Sequence, residues 1–359
     1  MLKLSVKIEH SEQTYPIVIK NNTIVNLREE IFDIIGKSNY LVVISEKVFK
    51  IYGKILKFPK DNLFILKDGE KEKNFKTYKK ILEKALKLKL TRKDFIIAIG
   101  GGVCGDIAGF AASTYMRGIN LIQVPTTLLA CVDSSVGGKT GIDTDYGKNL
   151  VGAFYQPNAV LINTNFLKTL DERQFKTGLG EVIKYAFIEK SCKCSEEFNF
   201  INFLSLNSEN ILSRNNEIME ELIRICISMK ISVVEKDEKE GGLRKVLNFG
   251  HTYAHAVEYL TKYKKYTHGE AVVKGIEFVF ELAHKMGIIV ESYKFIALDL
   301  IKKYNFKQIQ NFDMKKIIEA MKLDKKATSD SIIFILPTEC GEVKEYSFFD
   351  DEISKYFEK

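Results

Sequence analysis

Four of the five histidines in this 359-residue chain fall between positions 251 and 284: His251, His255, His268 and His284. His251 and His255 stand four residues apart, so on a helix they share one face. The segment His-Thr-Tyr-Ala-His lacks the glutamate that a zinc protease carries after its first histidine, which argues against peptide hydrolysis. His268 opens a further helical segment as His-Gly-Glu, and Glu181, in Gly-Leu-Gly-Glu-Val-Ile-Lys-Tyr, offers an oxygen upstream. Two imidazoles and one carboxylate with an open coordination position make a catalytic rather than a structural zinc site. A lone helical histidine is usually just a satisfied side chain, but clustering in a histidine-poor chain favours metal.

A second group of residues suits anions. Gly100-Gly101-Gly102-Val103-Cys104-Gly105-Asp106 ends an apolar run and opens a helix. Glycines there let the backbone approach a diphosphate, and the helix N-terminus supplies free N–H groups. The run is not the G-x-G-x-x-G fingerprint, and a tight turn explains it equally well. Asp68-Gly69-Glu70 follows another apolar run and Pro125-Thr126-Thr127 a third, where the threonines either cap a helix or bind a ribose or phosphate. Lys139 and Lys148 lie among glycines in Asp133–Gly141 and Gly147-Lys148-Asn149. Gly-Gly-Lys-Thr is not a P-loop, because Asp133 stands where the first glycine of that pattern belongs, so ATP hydrolysis is rejected. The lysines still suit a phosphate or carboxylate.

These residues need elements to hold them. Leu41–Ile44, Leu63–Leu66, Phe95–Ile99, Leu121–Val124 and Ala159–Ile162 are near-continuous apolar runs of strand length, as in parallel strands covered on both faces. Helical periodicity lies between them, for example over Phe75–Leu90, so the first half predicts a doubly wound α/β domain with ligands at the strands' carboxyl ends. From about Asp171 long helical segments dominate: Asp171–Glu189, Glu209–Glu235, His251–Tyr259 and Glu270–Met286, with one late strand-like run, Ile332–Leu336. The expectation is a Rossmann-like α/β domain over residues 1–170 and a mostly α-helical domain over 171–359, with the site in the cleft between them.

Composition narrows the function. Lys and Arg number 54 against 47 Asp and Glu, a net charge of +7, but the surplus is scattered along helical faces without the clustering a nucleic-acid surface needs. The six cysteines form no disulfide framework and read as reduced thiols. The N-terminus shows no apolar signal segment and no apolar stretch is long enough to span a bilayer, so a soluble cytoplasmic protein is expected.

With these pieces in order, the chain closely resembles the 3-dehydroquinate synthases. The resemblance is carried by GGGVCGDIAGFAASTYMRG (100–118), QVPTTLLACVDSSVGGKTGID (123–143), YGKNLVGAFYQP (146–157), GLGEVIKY (178–185), EKDEKEGGLRKVLNFGHTYAHAVE (235–258) and HGEAV (268–272). It implies a Rossmann-like NAD domain, a helical metal domain and a homodimer. Position by position, it implies zinc or cobalt on Glu181, His251 and His268. It implies NAD on Glu70, Lys73, Gly101, Gly102, Val103, Asp106, Thr126, Thr127, Lys139, Lys148, Phe166 and Thr169. It implies substrate on Asp133, Lys139, Asn149, Lys184, Lys230, Arg244, Asn248, His255 and a lysine of Asp324-Lys325-Lys326, with Lys326 favoured. Arg117 would approach the substrate phosphate across the dimer interface. Two departures stand out: Ser45, beside Glu46, replaces the aspartate that many members use for the adenosine ribose, and Ala254 replaces a glycine.

The activity the resemblance implies is closure of an anionic sugar-acid phosphate into a carbocycle. A metal-polarised alcohol is transiently oxidised by NAD, phosphate leaves by β-elimination, the hydride returns, the ring opens and an aldol step closes the carbocycle. Lys139, Asn149 and Arg117 would hold phosphate, Lys230 and Arg244 carboxylate, and His255 would assist proton transfer. Two rivals share the fold: a valiolone- or inosose-type cyclase, whose substrate lacks the carboxylate, and a metal-dependent polyol dehydrogenase, which needs no phosphate-binding segments.

Overall fold

The computed structural model describes residues 14–21, 23–324 and 331–357. The first half builds β1 (Ile17–Lys20), α1 (Leu27–Ile35), β2 (Tyr40–Ser45), α2 (Glu46–Leu56), β3 (Leu63–Leu66), α3 (Phe75–Lys87), β4 (Phe95–Gly100), α4 (Gly102–Thr114), β5 (Asn120–Pro125), β6 (Lys139–Thr144), β7 (Gly147–Phe154) and β8 (Ala159–Asn163). Six of these strands form one parallel sheet in the order β1-β8-β5-β4-β2-β3. Successive side chains of a strand point to opposite faces, and both faces are covered. Val42, Ile44, Ile97 and Ile99 pack with α1 and α2, while Leu41, Val43, Ile96 and Ala98 pack with α3 and α4. Strand order reverses between β2 and β4, so the crevice of the sheet opens beside the Gly100–Gly102 turn.

The apolar run of β3 departs from the expectation that strands covered on both faces produce it. This strand is the sheet edge, and Ile65 is 43% exposed. β1 carries too short a run to stand out, and the hairpin β6–β7 is antiparallel and lies outside the main sheet. Gly141 and Gly152 let its two backbones meet, since a Cβ on Gly152 would lie 2.1 Å from the Thr140 carbonyl oxygen.

The second half comprises α5 (Glu172–Ile188), α6 (Phe200–Leu206), α7 (Ser208–Leu212), α8 (Asn216–Lys236), α9 (His251–Leu260), α10 (His268–Lys285), α11 (Glu291–Lys303), α12 (Met314–Asp324), β9 (Ile332–Glu339), β10 (Glu342–Phe348) and α13 (Asp350–Lys355). The continuous helix expected over Glu209–Glu235 is broken. Arg214 takes a left-handed φ of 59°, and the Asn215 side chain accepts from the Glu217 and Ile218 N–H groups to start α8 anew. The one late strand expected is half of a hairpin, β9–β10, turning at Gly341 with φ 78°. The largest apolar cluster belongs to this half but also takes in Leu128, Cys131, Val132, Val160, Ile162 and Leu167, so packing is continuous across residue 170. All six cysteines are free. Among the described residues no helix is long and apolar enough to cross a membrane.

Candidate active site and metal centre

Three helices meet at one carboxylate. Glu181 sits in the middle of α5, while His251 and His268 are the first residues of α9 and α10. Oε1 of Glu181 lies 3.4 Å from Nε2 of His251 and 3.2 Å from Nε2 of His268. Donor atoms of the three residues all lie within 4.8 Å of one another. Glycines beside the ligands permit this approach. A Cβ on Gly180, next to Glu181, would lie 2.4 Å from the Gly269 carbonyl oxygen, and one on Gly269, next to His268, 2.1 Å from that of Thr177. Gly250, before His251, has φ +77° and abuts Gly275, where a Cβ would meet the Gly250 carbonyl oxygen at 1.9 Å. Any other residue at these contacts would force the helices apart.

The donors fit a divalent cation. Both Glu181 oxygens are buried, and neither accepts a well-aligned hydrogen bond from the described residues. Burial opposes its charge, yet Lys184, His251 and His268 hold the carboxyl well below the ordinary range. Burial also opposes protonation of His268, but Glu181 and Glu258 outweigh it and raise its pKa to about 10. At His251 burial wins and the pKa is lowered. Nδ1 of His251 faces the Phe249 carbonyl oxygen at 3.0 Å and Nδ1 of His268 faces Oε2 of Glu258 at 3.4 Å, which leaves both Nε2 atoms aimed at Glu181. Two imidazoles and one carboxylate form an open catalytic zinc-type site. His255, one turn beyond His251, flanks the group, edge-to-face to His251 with ring centroids 5.6 Å apart and stacked on His268 at 6.3 Å.

Buried charges extend from this centre. Lys184 pairs with Glu181 one turn back on α5. Lys230 of α8 donates to Asp133 at 2.6 Å through Oδ1 and at 2.7 Å through the carbonyl, and Tyr185 donates to the same Oδ1 at 3.1 Å. Burial outweighs the Asp133 carboxylate and, with Lys184 and Arg244 nearby, brings the Lys230 pKa below the usual lysine value. Arg244, 1% exposed, donates to the Gly137 carbonyl oxygen at 3.1 Å and to that of Glu238. Its Nε is buried without a partner among the described residues. Lys139 pairs with Glu240, which also accepts from Asn248 at 3.1 Å.

On the sheet side, Gly101 caps α4, and a Cβ there would lie 2.9 Å from Thr127 Cγ2. Gly102 faces Ser134, and Val103 is half-buried on the first turn of α4. The Thr126 N–H donates to the Gly100 carbonyl at 2.9 Å, and Thr127 Oγ1 accepts from the Ala130 N–H at 3.2 Å, so Thr127 also caps a helical turn. Lys73, buried, donates to Asp106 at 2.5 Å and to Asn149. Burial opposes the Lys73 charge, but Asp106 outweighs it and keeps the ammonium protonated above its ordinary range. Lys148 pairs with Glu70 at 3.6 Å. Asn149 holds a left-handed φ of 55°, which asparagine tolerates.

Ser45 neighbours the glycine turn, its Cβ 3.3 Å from where a Cβ on Gly100 would lie. Phe166 is buried edge-to-face on Tyr52, whose hydroxyl shares a 2.7 Å hydrogen bond with Thr169. Ser45 caps α2 through the Val48 N–H at 3.5 Å. Arg117 is exposed at the end of α4 opposite the glycine turn and pairs with no described side chain of its own chain. Lys326 lies outside the described residues. Sequence reasoning passed over Tyr185, Glu240 and Glu258. Only Glu258 left a signal, seven residues after His251 and therefore on the same face of one helix.

Residues 63–177 match the family model for the 3-dehydroquinate synthase N-terminal domain, and residues 178–327 match that for its C-terminal domain. A 3-dehydroquinate synthase of Alkaliphilus metalliredigens is 45% identical over 293 residues, 81% of this chain and 80% of the relative. Among solved structures, a 2-epi-5-epi-valiolone synthase from Streptomyces hygroscopicus with NAD+ and Zn2+ bound superposes with a TM-score of 0.85. It is 23% identical and is covered over 98% of both chains, a likeness of fold. A 2-deoxy-scyllo-inosose synthase complexed with carbaglucose-6-phosphate, NAD+ and Co2+ is 27% identical with a TM-score of 0.78, over 95% of each chain. Two family models in sequence and a relative at this identity over four-fifths of its length leave one conclusion: the chain belongs to the 3-dehydroquinate synthase family.

Proposed function

We propose that this chain converts 3-deoxy-D-arabino-heptulosonate 7-phosphate to 3-dehydroquinate and phosphate, as a cytoplasmic homodimer. The single observation that carries the reading is the convergence of Glu181, His251 and His268 within a rim of buried cations, Lys184, Lys230 and Arg244. In this reading residues 1–170 bind NAD and residues 171–359 bind metal and substrate. When bound, a divalent ion on Glu181, His251 and His268 supplies Lewis-acid polarisation of an alcohol, and NAD at the glycine turn supplies a reversible hydride acceptor.

The chain's own residues do the rest. Arg244 and Lys230 hold the substrate carboxylate, and their burial strengthens each charge-assisted bond. Among the described residues the buried Nε of Arg244 has no hydrogen-bond partner, and an orphaned cationic donor favours an anion beside it. Lys139 and Asn149, with Arg117 of a second copy, hold the phosphate. Lys139 exchanges Glu240 for that anion, and Asn149 exchanges Lys73. Lys184 keeps Glu181 ionised, and Asp133 steadies Lys230 and orients the substrate hydroxyls. His255 moves a proton at the hydroxyl beside the ion, a role that contributes about 10²–10⁴-fold in comparable enzymes.

The valiolone- and inosose-type cyclases of similar fold are the second reading, and the buried Arg244 favours the acid substrate over theirs. Turnover is to be compared on the seven-carbon keto-acid phosphate and on a keto-sugar phosphate lacking the carboxylate. Reaction with the acid alone supports the proposal. Preference for the carboxylate-free sugar contradicts it.

A further inference from the structure

Glu258 stands seven residues after His251 on α9, two helical turns along the same face. It is 7% exposed, a rare position for a carboxylate without a task. Its Oε2 lies 3.4 Å from Nδ1 of His268, across the contact between α9 and α10. One helix thus offers a donor, His251, and also reaches over to a donor on the next helix.

His268 and His251 are supported differently. His251 has a backbone carbonyl on its Nδ1, that of Phe249 at 3.0 Å. Both histidines open helices whose positive dipole ends disfavour a cation alike, so the difference lies in what faces each Nδ1, and for His268 that is the Glu258 carboxylate. The start of α10 itself is fixed by a reciprocal cap, the Glu270 N–H to Thr267 Oγ1 at 3.3 Å and the Thr267 N–H to Glu270 Oε2 at 2.7 Å. A carboxylate on Nδ1 holds that proton there, keeps Nε2 free and raises its basicity.

We propose that Glu258 is a positioning residue for the metal centre, fixing the tautomer and ring direction of His268 as a carboxylate–histidine–metal relay. The inference rests on the metal reading of Glu181, His251 and His268. The test uses the full chain without NAD or substrate, titrating Zn2+ against a chromophoric chelator and recording the visible spectrum of the Co2+ form. Glu258→Leu keeps the volume and removes the acceptor, and affinity falls about 10–100-fold. Glu258→Gln keeps an acceptor without the charge, so its loss is smaller, with a shifted cobalt spectrum. The melting temperature of the metal-free protein separates this effect from unfolding. Wild-type affinity and an unchanged cobalt spectrum in Glu258→Gln and in a folded Glu258→Leu overturn the proposal. If Glu258→Leu does not fold, Glu258→Gln decides alone. His268→Ala is the companion variant: if it too retains the ion, the metal reading fails, whereas loss there with no effect at Glu258 sinks only the relay.

Discussion

Replacing Gly269 by alanine adds one methyl group where α10 crosses α5. That carbon would lie 2.1 Å from the Thr177 carbonyl oxygen and 2.7 Å from its carbonyl carbon. Carbon and oxygen settle no closer than roughly 3.3 Å, so the helices must part by about 1 Å. Gly269 adjoins His268 and touches Gly180, which adjoins Glu181, so the displacement falls on the metal ligands. Metal sites tolerate about 0.2 Å in ligand distance, a fraction of that shift. On stability two effects compete: alanine gains up to about 1 kcal/mol over glycine in a helix, while overpacking costs about 1–3 kcal/mol. The clash wins, and the metal-free protein loses a modest ~0–2 kcal/mol. Metal affinity falls far more, at least about tenfold, because the ligand geometry itself is broken. Thermal melting with excess zinc and with chelator separates the two, since bound metal stabilises by RT ln(1 + [L]/Kd). A variant with a wild-type zinc-induced shift in melting temperature would refute the reasoning.

Further outcomes follow from the same geometry. Arg244→Ala raises KM for the keto-acid phosphate and leaves metal content unchanged, as read by elemental analysis and initial rates. Lys230 and Lys184 hold Asp133 ionised despite burial, so its carboxyl sits well below the ordinary value. Its stabilising contribution is therefore present above about pH 4 and is lost as pH falls below that. Asp133→Asn flattens the acid limb of the stability curve, and an equally steep limb would contradict the pairing. Thr267→Ala removes the α10 cap and costs about 1 kcal/mol in denaturant unfolding. If Arg117 serves the partner's site, mixing inactive Arg117→Ala and His268→Ala proteins restores partial activity through mixed dimers.

Much of this arrangement is legible from residue order, and the rest is hidden for physical reasons. Period and apolar runs locate β2, β4, β5 and β8 because central parallel strands are buried on both faces. β1, β6, β7 and β10 escape notice because edge strands and hairpins are half-exposed, and their alternation is short or broken by glycine. The histidine cluster announces a metal centre, yet which imidazoles share an ion depends on how α9 and α10 cross. His251 and His255 share a face in the sequence, but the donor that meets Glu181 with His251 is His268, from another helix. Helix spacing places Glu258 beside His251 but not against His268, a contact made only in three dimensions. The ion pairs of Lys73 with Asp106 and of Lys139 with Glu240 join residues far apart in sequence and carry no local signature.

The most direct test follows three quantities in one cuvette: phosphate released, carbocycle formed and NADH present. The protein is supplied with zinc or cobalt, NAD far below the substrate concentration, and the keto-acid phosphate. The account predicts one phosphate and one 3-dehydroquinate per substrate consumed, many turnovers per NAD, and no net NADH. NADH rising one-for-one with substrate, or phosphate appearing without a carbocycle, would contradict it.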